Sequence, residues 1–172
     1  MKKLLIVVDY QNDFVTGSLG FKKAVDIEKG IFERVKEYEE NGDDVIFTLD
    51  THEASYLKTE EGIYLPVEHC LKGTNGHELY GLVKEVAKNH LLIEKATFPS
   101  HKLLNYLLDK EYECIELCGV VTNICVISNA IIVKAALPNA HIVINQKLCA
   151  SNDEVMEQKA LEVMKNLQME II

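Results

Sequence analysis

The chain has 172 residues, 48% of them hydrophobic, and a formal net charge of −9; that suffices for one domain with a real core, while no apolar stretch approaches the roughly 20 residues needed to span a bilayer. The acidic balance, with no dense Lys/Arg run, argues against nucleic acid and anionic membrane as partners. Five cysteines (Cys70, Cys114, Cys118, Cys125, Cys149) form an odd set without a CxxC pair, which argues against a disulfide framework.

The first apolar run, residues 4–8 (LLIVV), is broken by Asp9 and followed by no small-residue cleavage site, so it reads as a buried strand and not a signal peptide. The expected location is cytoplasmic. Residues 27–41 read as a helix with Ile31, Val35 and Tyr38 on one stripe, and 44–49 (DVIFTL) as the next strand, entered through Asn41-Gly42-Asp43. Residues 51–75 form a long irregular stretch containing both Gly and Pro. A helix is expected over 77–88, a strand over 91–94, a helix over 101–109 and a strand over 114–118.

Residues 122–136 are apolar on nearly every side and read as a buried helix stopped by Pro138. The same pattern points to a homo-oligomer, although a buried helix of a monomer would carry it equally. A strand over 141–144, a helix over 153–166 and a closing strand over 169–172 complete the series. Strands alternating with helices predict a single domain, 1–172, of three α/β/α layers around a mostly parallel, doubly wound, Rossmann-like sheet. Residues 51–75 would serve it as an active-site loop.

Polar residues fall where such a sheet binds ligands. Asp9 directly follows the first strand, Asp50 the second and Lys95 the third, while Gly119 follows the fourth, six residues before Cys125. In an open parallel sheet these strand ends share one edge and face one crevice. Any one of them has the ordinary explanation that charged residues terminate strands. Cys125 taken alone reads as core packing, as do Cys114, Cys118 and Cys149. Its position at a turn on the ligand edge changes that reading. A helix start, the Lys95 ammonium and the Asp9 carboxylate would favour a nucleophilic thiolate there, with the backbone N–H groups of Val121 and Cys125 facing a developing oxyanion.

Asp9 in VVDYQNDF, Lys95 in IEKATFPS and Cys125 in GVVTNICV together resemble, in order and spacing, the Asp–Lys–Cys pattern of the isochorismatase-like cysteine hydrolases. The resemblance spans essentially the whole chain. It implies a carboxylate acting as general base and acid, a lysine supporting the thiolate, a thioester acyl-enzyme, and a cis Val120–Val121 peptide.

A second constellation opens the irregular stretch. Asp50 and His52, two apart in an extended segment, face the same side. Glu60, Glu61 and His69 follow, and two imidazoles with carboxylates suit zinc, iron or manganese with positions left open. His77, His90 and His101 read as surface or helix-end residues. By resemblance to the nicotinamidase and pyrazinamidase branch, Asp50, His52 and His69 would hold a divalent metal, zinc foremost. Glu61 would be the fourth ligand, with Glu60 as its alternative. Phe14 and Tyr64 would pack against a substrate ring. The chain departs from that branch at Tyr64-Leu65-Pro66-Val67-Glu68, where an aromatic-Pro-Pro run is usual, and at Asn123, where many members carry Asp.

The resemblance thus implies an amidohydrolase taking a small-molecule amide, nicotinamide before others. A hydrolase of carbamoyl, ureido or other small carboxamide compounds on the same scaffold is the second reading. A silent binding or redox-sensing protein titrating oxidants at Cys125 is the third.

Overall fold

The computed structural model describes residues 2–172. Six strands, β1 (Lys3–Val8), β2 (Asp44–Asp50), β3 (Leu91–Lys95), β4 (Cys114–Val120), β5 (His141–Ala150) and β6 (Glu170–Ile171), form one sheet in the order β3-β2-β1-β4-β5-β6. Every pairing in it is parallel, where a mostly parallel sheet was expected. β1 lies between β2 and β4 and is covered on both faces, which is why its sequence is apolar without alternation. Leu5 and Val7 enter one core with α1 (Asn12–Val15), α2 (Lys22–Asp26), α3 (Glu28–Glu40) and α5 (Gly81–Val86). Leu4, Ile6 and Val8 enter the other with α6 (His101–Leu107), α7 (Ile127–Ala136) and α8 (Glu154–Asn166). These are the three layers.

The 51–75 stretch is more ordered than its composition suggested. A 3₁₀ turn at Tyr56–Lys58 leads into α4 (Glu60–Tyr64), whose N-cap Thr59 accepts from the Gly62 N–H at 3.0 Å. The helix expected over 77–88 starts only at Gly81. Residues 78–80 are instead drawn into extended pairing with 10–12, through Asn12 N–H to Glu78 O (2.9 Å) and Tyr80 N–H to Tyr10 O (2.9 Å). β5 runs well past the expected 144. Exposed Gln146 and Lys147 break its apolar pattern, but a register shift between Leu117 and Gly119 lets pairing resume at Gly119 with Cys149.

The helix expected over 122–136 begins as a π turn at Thr122–Val126 before α7. Val126, Ala130 and Val133 of this segment are buried within the chain's own core, so its apolar pattern is largely accounted for by that packing. No helix among the described residues is long and apolar enough to cross a membrane.

The strand order reverses at the β1/β4 seam, and Val8 pairs there with Gly119. Gly119 has φ +111°, and a Cβ on it would stand 2.2 Å from Val8 O. Only glycine allows β4 to approach β1 this closely next to Asp9. Gly119→Ala is expected to destabilise the protein by about 3 kcal/mol in urea unfolding; an unchanged midpoint would contradict this packing.

Candidate active site

Asp9, Asp50 and Lys95 converge at the C-terminal edge of the sheet because β1, β2 and β3 are neighbours and Asp50 is in register with Lys95. Lys95 Nζ, almost fully buried, stands 2.6 Å from Asp9 Oδ2 and 3.3 Å from Asp50 Oδ1. The same ammonium donates to Thr97 O at 3.1 Å and lies 3.5 Å from Cys125 Sγ. The three residues expected to carry chemistry are therefore brought together, with the Lys95 ammonium against both Asp9 and Cys125. Asp9 adopts φ 47°, a left-handed conformation that Asp tolerates better than most residues. Its Oδ1 accepts from Thr48 Oγ1 at 2.6 Å. Its buried Oδ2 is the atom that pairs with the Lys95 ammonium.

Burial raises the Asp9 pKa, with Asp50 adding to the rise and Lys95 opposing it. Lys95 stays an ammonium: burial works against its charge, but Asp9, Cys125 and Asp50 outweigh it. The Cys125 thiol is pushed well up, first by burial, with the negative charges of Asp9 and Asp50 adding to the rise and Lys95 opposing it. This differs from the sequence-based expectation of a favoured thiolate. Cys125 is the fourth residue of the π turn and 5% exposed, so desolvation outweighs the ammonium. Burial therefore favours the neutral thiol in the substrate-free pocket.

Asp50, His52, Glu61 and His69 form the second cluster, their ligand atoms all within 4.8 Å of one another. His52 Nε2 is 2.9 Å from Asp50 Oδ2 and 3.6 Å from Glu61 Oε1; His69 Nε2 is 3.3 Å and 3.6 Å from the same oxygens. Glu61, in the first turn of α4, stands in this cluster and Glu60 does not. His69 Nδ1 meets Val67 O at 2.8 Å, so that nitrogen carries a proton and Nε2 turns toward the carboxylates. Burial works to lower the His69 pKa, but hydrogen bonds to Asp50 and Glu61 outweigh it and raise it to about 10. Asp50 is held far below the usual carboxylate range: burial opposes, and His52, His69 and Lys95 prevail. Two imidazole nitrogens and two carboxylates aimed at one point, with a proton held between them, fit a divalent cation in composition and spacing.

A cavity of about 180 Å³ adjoins both clusters. Cys125, Val121, Asp50, Glu61 and His69 line it on the chemical side, while Phe14, Leu19, Phe21, Leu65, Phe98 and Ile124 supply apolar walls. Phe14 lies on the cavity wall, its ring 5.5 Å from that of His69. The Val120–Val121 peptide is cis. Tyr64 does not line this cavity. It ends α4 in solvent, 82% exposed, and the next residue, Leu65, takes the wall position. His77 is half-buried, with Nε2 2.8 Å from Thr51 Oγ1, outside the cluster.

Several supporting residues escaped the sequence reading. Gln11, fully buried, accepts from Asp50 N–H (2.8 Å) and donates to Asp50 O and His77 O (2.8 Å each), so it fixes the backbone of Asp50. Asp13 Oδ2 accepts from Cys70 N–H at 2.8 Å and so holds the residue after His69. The signal was available in VVDYQNDF, where polar residues crowd directly after a buried strand.

An isochorismatase domain model matches residues 3–172. The chain belongs to the isochorismatase family. Among its relatives, an uncharacterized isochorismatase family protein PncA of Bacillus subtilis is 34% identical over 164 residues, covering 88% of this chain and 87% of that protein. A crystal structure of nicotinamidase/pyrazinamidase PncA from Bacillus subtilis aligns with TM-score 0.88 at 32% identity over 99% of both chains. The pyrazinamidase/nicotinamidase of Streptococcus mutans UA159 aligns with TM-score 0.89 at 30% identity, over 99% of this chain and 100% of that one.

Two measurements check this electrostatics. In metal-free protein at neutral pH, the ultraviolet difference spectrum between wild type and Cys125→Ser should show no thiolate band; a band there would contradict the raised thiol. A histidine whose folded pKa is raised contributes stability that is full below its ordinary value of 6.5 and is lost as pH climbs through about 10. The stability advantage of metal-free wild type over His69→Asn, followed by urea unfolding, should decline across that window and not below it.

Proposed function

We propose that this isochorismatase-family protein is an amidohydrolase of the nicotinamidase type, converting nicotinamide and water to nicotinate and ammonia through an acyl-enzyme on Cys125. The observation that carries the reading is the cavity itself: a small apolar slot with a thiol on one side and the Asp50–His52–Glu61–His69 cluster on the other. The names borne by the Bacillus and Streptococcus structures support it.

Asp9 acts as the base. Its carboxylate faces the thiol and has a raised pKa, so it takes the Cys125 proton as sulfur attacks the carboxamide carbon. Because the thiol pKa is high at rest, deprotonation and attack are coupled, and Lys95 at 3.5 Å stabilises the charge that forms on sulfur. The N–H groups of Val121 and Cys125 receive the oxyanion, each donor lowering the barrier by about 3 kcal/mol. Asp9 then gives its proton to the departing nitrogen, ammonia leaves, and a thioester remains. For the second half, Asp9 deprotonates water as it attacks the thioester and then passes that proton to the departing sulfur, which restores the thiol and the Asp9 carboxylate; the acid released loses its own proton to solvent.

Asp50, His52, Glu61 and His69 would hold a divalent ion, zinc by preference for its nitrogen and oxygen donors. When bound, it supplies a Lewis-acid anchor for a ring nitrogen, and such orientation contributes several kcal/mol. Phe14, Phe98 and Leu65 enclose the ring and exclude water.

A second reading, a different small carboxamide or carbamoyl compound on the same machinery, draws on one observation: the ring of Tyr64 is in solvent and Leu65 takes its place on the cavity wall. Ammonia release from nicotinamide, pyrazinamide and a set of carbamoyl and ureido compounds separates the two. Metal-replete protein is expected to prefer the pyridine and pyrazine carboxamides, and chelation to suppress turnover. Cys125→Ala should lower kcat by about four orders of magnitude. Turnover confined to the carbamoyl or ureido compounds would sink the nicotinamidase assignment.

A further inference from the structure

Asn129 lies four residues beyond Cys125 in α7, and its side chain is fully buried. All three of its contacts join parts of the site. Its Nδ2 donates to Cys125 O at 2.8 Å and to Phe98 O at 3.0 Å, and its Oδ1 accepts from Ser100 N–H at 3.1 Å. Ser100 is the N-cap of α6, accepting from Leu103 N–H at 3.1 Å. Residues 97–100 leave β3 immediately after Lys95, and the Lys95 ammonium donates to Thr97 O at 3.1 Å. One amide therefore ties the carbonyl of the cysteine, the carbonyl of a cavity-wall residue and the start of α6 into a single unit.

The helix at this point is irregular, which gives the amide its purpose. Through the π turn, Val126 N–H reaches back five residues to Val121 O, and Ile127 N–H is shared between Thr122 O and Ile124 O. A widened turn can slide, and Cys125 sits inside it. A side-chain donor on the Cys125 carbonyl, anchored at its other end to the Lys95 loop, opposes that sliding.

We propose that Asn129 is a positioning residue that sets the separation of the Cys125 thiol from the Lys95 ammonium, acting on the nucleophile through its backbone; the proposal rests on Cys125 being the nucleophile. A purely structural amide would be paired in the same way, but its loss would lower stability alone. Asn129→Ala removes all three contacts. Asn129→Ser keeps a hydroxyl able to bond the carbonyl four residues earlier, but is too short to span to Phe98 and Ser100.

The test uses metal-replete, full-length protein and two readouts: kcat and KM for nicotinamide, and the pH dependence of Cys125 alkylation by iodoacetamide, with the site located by mass spectrometry. The charged groups facing the thiol are Lys95, Asp9 and Asp50. Both variants should lose kcat on the order of 10- to 100-fold, more than KM rises, as expected for a displaced nucleophile. Their alkylation profiles should move to higher pH, because the ammonium's attraction for the thiolate falls with distance. The serine variant carries the comparison if the alanine variant fails to fold. A serine variant with wild-type kcat and profile overturns the proposal, as do variants that lose only melting temperature. Should the wild type leave nicotinamide untouched, the alkylation profile still decides: a shift supports the role, an unmoved profile overturns it, and only the substrate assignment falls with the missing turnover.

Discussion

A single buried ammonium organises this protein's chemistry. Lys95 Nζ lies between the carboxylates of Asp9 and Asp50, two negative charges that the interior would otherwise not hold together. Without the lysine, burial would drive one of them to take up a proton. With it, the rise that burial imposes on Asp9 is opposed and Asp50 remains charged for the imidazole cluster. The lysine thus belongs to both centres, and its strand, β3, at the edge of the sheet, is fixed by register pairing to β2 alone.

The two centres are also tied through the backbone that follows β1. Within a few residues, Asp9 faces the thiol, Gln11 fixes Asp50, Asp13 holds the residue after His69, and Phe14 walls the cavity. Tyr80 N–H and Asn12 N–H close the same segment against residues 78–80. This density of hydrogen bonds gives an irregular segment a definite geometry without a long helix or strand of its own. It also explains why residues 78–80 are extended although their sequence continues readily into a helix.

What was legible in the sequence is what depends on local pattern. Asp9, Asp50 and Lys95 each interrupt or end an apolar run, so their place at strand ends, and hence on one edge, followed from periodicity and parallel topology. Partners distant in sequence set what was not legible. The late start of α5 follows from pairing with Tyr10 and Asn12, and the continuation of β5 past exposed Gln146 and Lys147 follows from a shift in β4. Tyr64 illustrates a different limit. Its aromatic character suited a ring-packing role, but one step along the chain at the end of α4 decides which side chain faces the cavity, and that side chain is Leu65. The high thiol pKa was missed for a similar reason: the sequence displays the charges near Cys125 and not how completely water is removed from it.

The sheet order also divides the candidate site at one point along the chain, between β3 and β4. Asp9, Asp50, Lys95 and every member of the imidazole–carboxylate cluster lie at or before residue 95; β4, with the thiol of Cys125 beyond it, follows. During synthesis on the ribosome Cys125 therefore emerges after the carboxylates, the ammonium and the imidazoles that its side chain will meet. A fragment that ends before β4 lacks Cys125, so in a refolding experiment this candidate site is complete only once β4 has docked against β1.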